Sequence, residues 1–417
     1  MRRPSTIEAL YLDFDGFFAS VMQQADPRLR GKPIGVIPFA TSKPRYTSVI
    51  ACSREAKARG VKNVMRVQDA LDICPEMVLV PQRPDLFRRA HDALLNEIAC
   101  VIPIETIKSI DELACRLDAR DVADPHGLAA RIKARLREHI GPYITCSIGM
   151  AANRLLAKIA CKIDKPDGVT VWAPEDMPDP LLALDLEDIP GVGSRMARRL
   201  RHAGIRTPAD LLATHPKQLR ALWRSVSGER LWYALHGHAY QTPATERGMF
   251  GHARVLPPAW RDIDHAVLMS RVLLTKAARR MRREGFHAGR LWLWLQAHAD
   301  RWSGAQPLPS VNDDRACLAA LTSLWTRVRR EAGPRIRIVR VGVTLMDLTP
   351  AARRQGDLFL HDDAERRQWE ILSHTMDDLN RRFGKRVLTL GPWMSPPGDY
   401  TGAKIAFTRI PDAEDFW

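Results

Sequence analysis

The chain lacks the features that hold small secreted or metal-knuckle proteins together. Its 417 residues include seven cysteines, an odd number, and no Cys-x-x-Cys pair occurs. That pattern argues against a disulfide framework or a cysteine zinc site, and for a reducing, cytoplasmic compartment. No stretch approaches the roughly 18 apolar residues that span a membrane, so no membrane partner is expected. The start, Met1-Arg2-Arg3-Pro4-Ser5-Thr6, has no apolar run of the kind a secretion signal needs. Internal repeats and low-complexity tracts are missing as well. Acids are scarce beside bases: 48 Asp and Glu against 63 Lys and Arg, a net charge of +15. A globular chain this basic suits a polyanionic partner, nucleic acid first. With 45% hydrophobic residues at this length, it can bury a sizeable core in several domains.

Two short acidic motifs stand out from that background. The first is Leu12-Asp13-Phe14-Asp15-Gly16-Phe17-Phe18 and the second is Ser109-Ile110-Asp111-Glu112. Each sets carboxylates beside residues that read as buried strand, where an unpartnered charge is costly. A divalent metal gripped by both segments would account for them.

Apolar alternation predicts a strand over 7–13, followed by a helix over 17–24. Further helices are expected over 53–59, 86–101 and 129–139, with Phe87, Ala90, Leu94 and Ile98 on one side of the second. Strands over 106–110, 113–117 and 143–150 put Asp111 and Glu112 inside a β segment. This order fits an α+β core whose sheet brings Asp13 and Asp111 together. From 188 the pattern is all helix. Ile189-Pro190-Gly191-Val192-Gly193 reads as a helix-hairpin-helix turn whose exposed N–H groups suit a phosphate, with Arg195, Arg198, Arg199 and Arg201 following. A polar linker at 241–250 leads to a small basic α+β unit read as helix (263–283), strand (291–295), helix (313–330), strand (335–347). Its Trp292 and Trp294 are expected to pack rather than to stack on bases. Beyond it, Gln355-Gly356-Asp357-Leu358-Phe359-Leu360 is an apolar plug, and Trp369, Leu372, Met376, Leu379 and Phe383 mark a last helix closed by Gly384.

Segments 12–19, 55–62, 109–113, 146–160, 165–168 and 189–193, in this order, resemble the Y-family, or translesion, DNA polymerases. The resemblance implies an α+β right hand. The palm would be 1–30 with 76–170, the fingers 31–75, and the helix-hairpin-helix thumb 171–240. The little finger would be 251–348 and the C-terminal tail 349–417. It implies two-metal transfer of a nucleotide from a dNTP to a primer 3′-OH, with low processivity and fidelity, in DNA damage tolerance and the SOS response. Asp13 and Asp111 would bridge two Mg2+ ions, with Mn2+ as a substitute. Glu112 would serve the primer-side ion, and the Phe14 carbonyl the nucleotide-side ion. Phe17 and Phe18 would meet the nucleotide, Phe18 as the steric gate against a 2′-OH. Lys165 would reach the triphosphate, as would Arg54 and Lys57, which replace the family's common Tyr-x-x-Arg pair. Gly191, Gly193 and Arg195 would hold the DNA backbone. Arg54-Glu55-Ala56-Lys57-Ala58 and the tail resemble the catalytic subunit of bacterial DNA polymerase V more than polymerase IV, although Pro166-Asp167-Gly168 and the run from Gly251 do not. Gln355, Leu358 and Phe359 resemble a sliding-clamp peptide. A polymerase V-type accessory protein or recombinase filament is a further implied partner. The alternative is a non-catalytic clamp-binding scaffold on the same fold, but presence of all three acids favours the enzyme.

Overall fold

A computed structural model describes residues 2–39, 47–240, 246–298, 300–333, 336–354 and 363–392, together with Ile410, Asp412 and Glu414. The chain forms two compact units, 1–242 with 404–411 and 243–403 with 412–417.

The first unit is organised around β1 (Ala9–Phe14). Alternation sends Leu10, Leu12 and Phe14 to one side of this strand and Tyr11 to the other, and both sides are covered. Helix α1 (Phe17–Ala25) follows. A subsidiary sheet comes next, with β2 (Ile34–Ile37), β3 (Ala51–Cys52), α2 (Arg54–Ala58), α3 (Val67–Ile73) and β4 (Val78–Pro81), ordered β3-β2-β4 around its own small core. The chain returns through α4 (Pro84–Ala99), β5 (Ile104–Ile107), β6 (Glu112–Arg116), α5 (Ala119–Ala123) and α6 (Pro125–His139). It then completes the main sheet with β7 (Cys146–Ala151), α7 (Arg154–Ile163) and β8 (Val169–Val171). The sheet order is β5-β6-β1-β7-β8, so the strand carrying Asp13 is central. Phe87, Leu94 and Ile98 of α4 and Leu128, Ile132 and Leu136 of α6 cover one face. Helix α7 covers the other so closely that a Cβ on Gly149 of β7 would fall 2.2 Å from the Ala157 carbonyl oxygen.

A helical region continues from the α7 face: α8 (Asp179–Leu182), α9 (Ser194–His202), α10 (Pro208–Ala213), α11 (Pro216–Trp223) and α12 (Val226–Leu235). Leu186, Ile189, Leu200, Leu211, Leu219 and Leu235 share one core with Leu156 and Ile159 of α7.

The second unit contains β9 (Phe250–Val255), α13 (Ile263–Arg283), β10 (Phe286–Gln296), β11 (Arg301–Val311), α14 (Asp314–Glu331), β12 (Arg340–Pro350) and α15 (Asp363–Arg382). The sheet order is β11-β10-β12-β9. The expected helix–strand–helix–strand plan is therefore incomplete. Two edge strands, β9 and β11, were not anticipated. β11 carries Gly304, Pro307 and Pro309, which an edge strand tolerates and which erase the alternation that announces a strand. On β10, Leu291, Leu293 and Leu295 point into the core beneath α13 and α14. Trp292 and Trp294 lie on the open face. Trp294 lies across Gly342, where a Cβ would come within 2.3 Å of its ring, and Arg340 stacks over it at 5.3 Å, while Trp292 stays 37% exposed. Among the described residues no helix is long and apolar enough to cross a membrane.

Candidate active site

Asp13, near the end of β1, is paired in register with Glu112 on β6 and with Ser147 on β7. Asp111 lies in the turn between β5 and β6, and Glu112 opens β6. This corrects the expectation that both acids sit inside a strand: the apolar residues on either side belong to two strands, and the chain reverses between them. The Phe14 N–H donates to the Asp111 carbonyl at 2.8 Å, so the first acidic motif holds the second. The Ser109 hydroxyl donates to Asp111 Oδ1 at 2.5 Å.

Burial pushes the Asp13 carboxyl up to about 6, and the charges of Asp111 and Glu112 add to it against the pull of Lys165. Burial raises Asp111 as well, again with a contribution from Glu112. Two lysines answer this negative charge. Lys165 Nζ contacts Asp13 Oδ1. Burial alone would lower the Lys165 ammonium, but the Asp13 charge raises it overall. Lys158 of α7 donates to both oxygens of Glu112, at 2.7 and 2.9 Å, and to the Tyr11 hydroxyl at 3.0 Å. Lys158 was not anticipated. Its only signal is a lone cation between Ala157 and Ile159 in a helix with a strongly buried side.

Asp15, in the turn after β1, has partners of its own. It accepts from Thr145 Oγ1 at 3.0 Å, Ser147 Oγ at 2.8 Å and the Asp167 N–H at 2.9 Å. It therefore braces the 165–168 loop that carries Lys165, and Lys133 of α6 pairs with Asp167 from the other side at 3.0 Å. Arg54 joins the same chain by donating to Thr145 Oγ1 at 2.8 Å. Its partner here is thus a side-chain hydroxyl on the lip of β7. Lys57 points to the turn after β1: a Cβ on Gly16 would lie 3.8 Å from its Nζ.

Phe17 is buried among Phe14, Phe18 and Phe87, so only its backbone can face a nucleotide. Phe18 is half-buried, backed by the Phe87 ring at 4.8 Å. A cleft of about 1150 Å3 opens beside the acids, with Ser109, Asp111, Glu112, Lys158, Arg154 and Lys108 on its walls. Farther along the unit, Gly191 holds φ at 97°, a left-handed turn that favours glycine. Gly193 caps α9 without a side-chain hydrogen bond, leaving the first N–H groups of that helix open, and Arg195 is exposed beside them. Gln355, Leu358 and Phe359 lie outside the described residues.

Residues 12–162 match the impB/mucB/samB family, 248–358 match its C-terminal domain, and 183–222 match a SAM-like helix-hairpin-helix tandem. The DNA polymerase IV of Moorella thermoacetica is 33% identical over 92% of this chain and 95% of its own length. DNA polymerase IV 1 of Bacillus subtilis is 30% identical, with 91% and 92% covered. The chain belongs to the Y family of DNA polymerases. Among solved structures, a Y-family chimera of Dbh and Dpo4 superposes with a TM-score of 0.67 at 25% identity, covering 82% of this chain and 99% of the other. An insertion ternary complex of Dbh polymerase gives 0.57, also at 25% identity, with 81% and 98% covered. This Y-family member is thus a DNA-directed DNA polymerase of the translesion type, and the family depends on divalent metal.

The residues present fit such a metal. Asp13, Asp111 and Glu112 supply only oxygen, the donor that hard divalent cations take. Burial first, and neighbouring carboxylate charge second, raises the carboxyls of Asp13 and Asp111, and an added cation would favour their ionised form. Among the described residues no three such groups already converge on one point. Glu112 turns to Lys158 and Asp13 to Lys165, so these lysines compete with a cation for the same oxygens.

Proposed function

We propose that Asp13, Asp111 and Glu112 form the catalytic centre of this polymerase, with Mg2+ as the metal. The observation that carries this reading is the register pairing of Asp13 with Glu112, locked to Asp111 by the Phe14 N–H. Two Mg2+ ions, when bound, would stabilise the attacking and leaving oxygens of the phosphoryl transfer. Asp13 and Asp111 would bridge them, with Glu112 and the Phe14 carbonyl as flanking donors. Lys165 and Lys57 would then meet the triphosphate, and Arg54 would join them by leaving Thr145. Lysine offers the phosphates a point charge where arginine would offer a fork. Lys108, Arg154 and the cleft beside Glu112 would receive the primer strand. Gly191, Gly193 and Arg195 would hold the DNA backbone at the open start of α9.

The division into palm (1–30 with 76–170), fingers (31–75), thumb (171–240), little finger (251–348) and tail (349–417) is part of this reading. The test is primer extension with Mg2+ by the wild type and Asp111→Ala, on an undamaged template and on one with an abasic site.

Phe18 is the proposed sugar gate, and its ring cannot retreat because Phe87 backs it. Phe18→Ala is expected to raise ribonucleotide incorporation by about a hundredfold, the order by which an apolar pocket rejects one added hydroxyl. Single-nucleotide insertion of dCTP against CTP reads this, and unchanged selectivity would remove Phe18 from the role.

We also propose that Gln355, Leu358 and Phe359 dock on a sliding clamp, on the strength of their sequence and their place after β12. Phe359→Ala is expected to abolish stimulation by the clamp while leaving clamp-free extension intact. Equal loss in both assays would make the motif structural. A polymerase V-type accessory protein or recombinase filament is a further partner in this reading, supported by the sequence of α2 and the tail.

A further inference from the structure

Helix α4 carries Phe87 and His91 four residues apart and hence on one face. Phe87 backs the gate ring, and His91 lies under the acidic turn. The imidazole is 2% exposed, and its Nδ1 lies 2.7 Å from the Ile110 carbonyl oxygen. A carbonyl only accepts, so Nδ1 carries the proton and Nε2 presents a lone pair. Nε2 has no hydrogen-bond partner among the described residues. Burial pushes the imidazole below its ordinary value, which keeps this neutral form.

Ile110 immediately precedes Asp111. The two successive carbonyls of the turn are therefore held by two different elements: Ile110 by His91 of α4, and Asp111 by the Phe14 N–H of β1. The Lys108 and Ser109 N–H groups bond to the Glu112 carbonyl at 2.9 and 3.2 Å, closing the turn on itself. Without His91 the Ile110 carbonyl would have no described donor, and the Ile110–Asp111 peptide would keep only the long bond from the Asp111 N–H to Ser109 Oγ at 3.4 Å. The plane of that peptide sets the direction in which Asp111 leaves the chain. The rest of this helix face is apolar: Phe87, Leu94 and Ile98 are fully buried. A leucine at 91 would continue that face. An imidazole with one nitrogen unsatisfied costs free energy there, and only the Nδ1–H bond offsets it.

We propose that His91 is a positioning residue for the polymerase reaction, orienting the Asp111 carboxylate through the Ile110 carbonyl. It touches neither nucleotide nor metal. The inference rests on the assignment of Asp111 as a metal ligand.

The test compares His91→Leu, His91→Asn and Asp111→Ala in the full chain. The Asn side-chain amide overlays the Nδ1–H donor, whereas Leu fills the space without a donor. His91→Leu is expected to lower kcat by about tenfold to a hundredfold, the range for residues that orient a metal ligand. The KM for dNTP and the affinity for primer-template should be unchanged, and Mn2+ uptake by the complex with DNA and a non-hydrolysable dNTP, counted by electron paramagnetic resonance, should weaken by a similar factor. His91→Asn should restore both kcat and Mn2+ uptake to near wild type. Wild-type kcat and Mn2+ uptake in His91→Leu would overturn the proposal, as would an Asn variant no better than Leu. Should His91→Leu fail to fold, His91→Asn decides alone: near-wild-type values support the donor, and a loss refutes it. Full activity in Asp111→Ala would remove the metal assignment itself, whereas an inactive Asp111→Ala beside a normal His91→Leu would remove only the role of His91.

Discussion

Asp111→Ala is expected to lower nucleotide addition by about a thousandfold or more, because a bridging metal ligand carries several kcal/mol of transition-state stabilisation. DNA binding should persist nearly unchanged. It depends on cations that face phosphates, and Asp111 is not one of them. The fold should survive as well. The Asp111 carboxylate has its pKa raised by burial, which means the folded state holds it ionised at a cost. Alanine gives up the Ser109 hydroxyl bond, but it also removes a buried charge and a repulsive partner of Glu112, and it keeps the Asp111 backbone carbonyl to which the Phe14 N–H is bonded. The sharp form of the expectation is therefore a variant that melts no lower than wild type and binds primer-template, yet does not extend it. Extension at the wild-type rate would sink the assignment of Asp111 as a ligand. Loss of extension together with loss of DNA binding and of the cooperative melt would mean only that the turn had collapsed. Progress of the wild type past an abasic site belongs in the same experiment, because it reads damage tolerance directly.

The acids that this prediction addresses could be found in the sequence because each sits in a short motif whose neighbours are apolar. Strand alternation then leaves few places for a carboxylate to go. Their partners could not be found that way. Lys158 meets Glu112 across two elements, and nothing local distinguishes it from a solvated lysine on a helix. Asp15 lies two residues from Asp13, but β1 ends at Phe14 and the turn that follows hands Asp15 to Thr145, Ser147 and the 165–168 loop. Arg54 reads from sequence as a phosphate ligand, and its bond to Thr145 depends on how α2 approaches β7. His91 falls between the apolar positions Phe87 and Leu94, where periodicity registers a face and says nothing of the carbonyl beneath it. In the second unit, α13 was readable to the residue because a long amphipathic run with an Asp262 cap announces itself. The two edge strands were not, since an edge strand needs neither a continuous apolar face nor freedom from proline.

Arg282→Met should cost the second unit about 3–5 kcal/mol, the range for removing one partner from a buried ionic network. Arg282 is 4% exposed and makes four hydrogen bonds. Its Nε and Nη2 take both oxygens of Asp377 at 2.7 and 3.1 Å, and Nη1 donates to Asp314 at 2.7 Å and to the Asn312 carbonyl at 2.8 Å. One guanidinium thus ties α13 to the start of α14 and to the middle of α15. Methionine fills similar space but removes the guanidinium that bonds both Asp314 and Asp377, leaving two buried like charges with the pull of Arg386 on Asp314 and of Arg279 on Asp377 to answer them. The pH dependence follows from the sign of the Asp377 shift. Burial raises this carboxyl above its ordinary value even with Arg282 pulling it down. A folded-state carboxyl that is raised binds its proton more tightly than the unfolded chain does, so ionising it subtracts stability as pH rises. Without Arg282 the rise grows, and the deficit should be largest near neutral pH and shrink as acid protonates Asp377. At neutral pH the melting temperature of the unit should fall by roughly 10 °C, as expected for a domain of this size. Proteolysis should then release α15, whose anchor to α13 at Asp377 is gone. Adding Asp314→Leu and Asp377→Leu to Arg282→Met should recover most of the loss, because an apolar cluster of similar volume replaces a buried triad at little net cost. A single variant that melts like wild type, or whose loss is no smaller in acid, would mean that water reaches the three charges and that α15 is held by its apolar contacts alone.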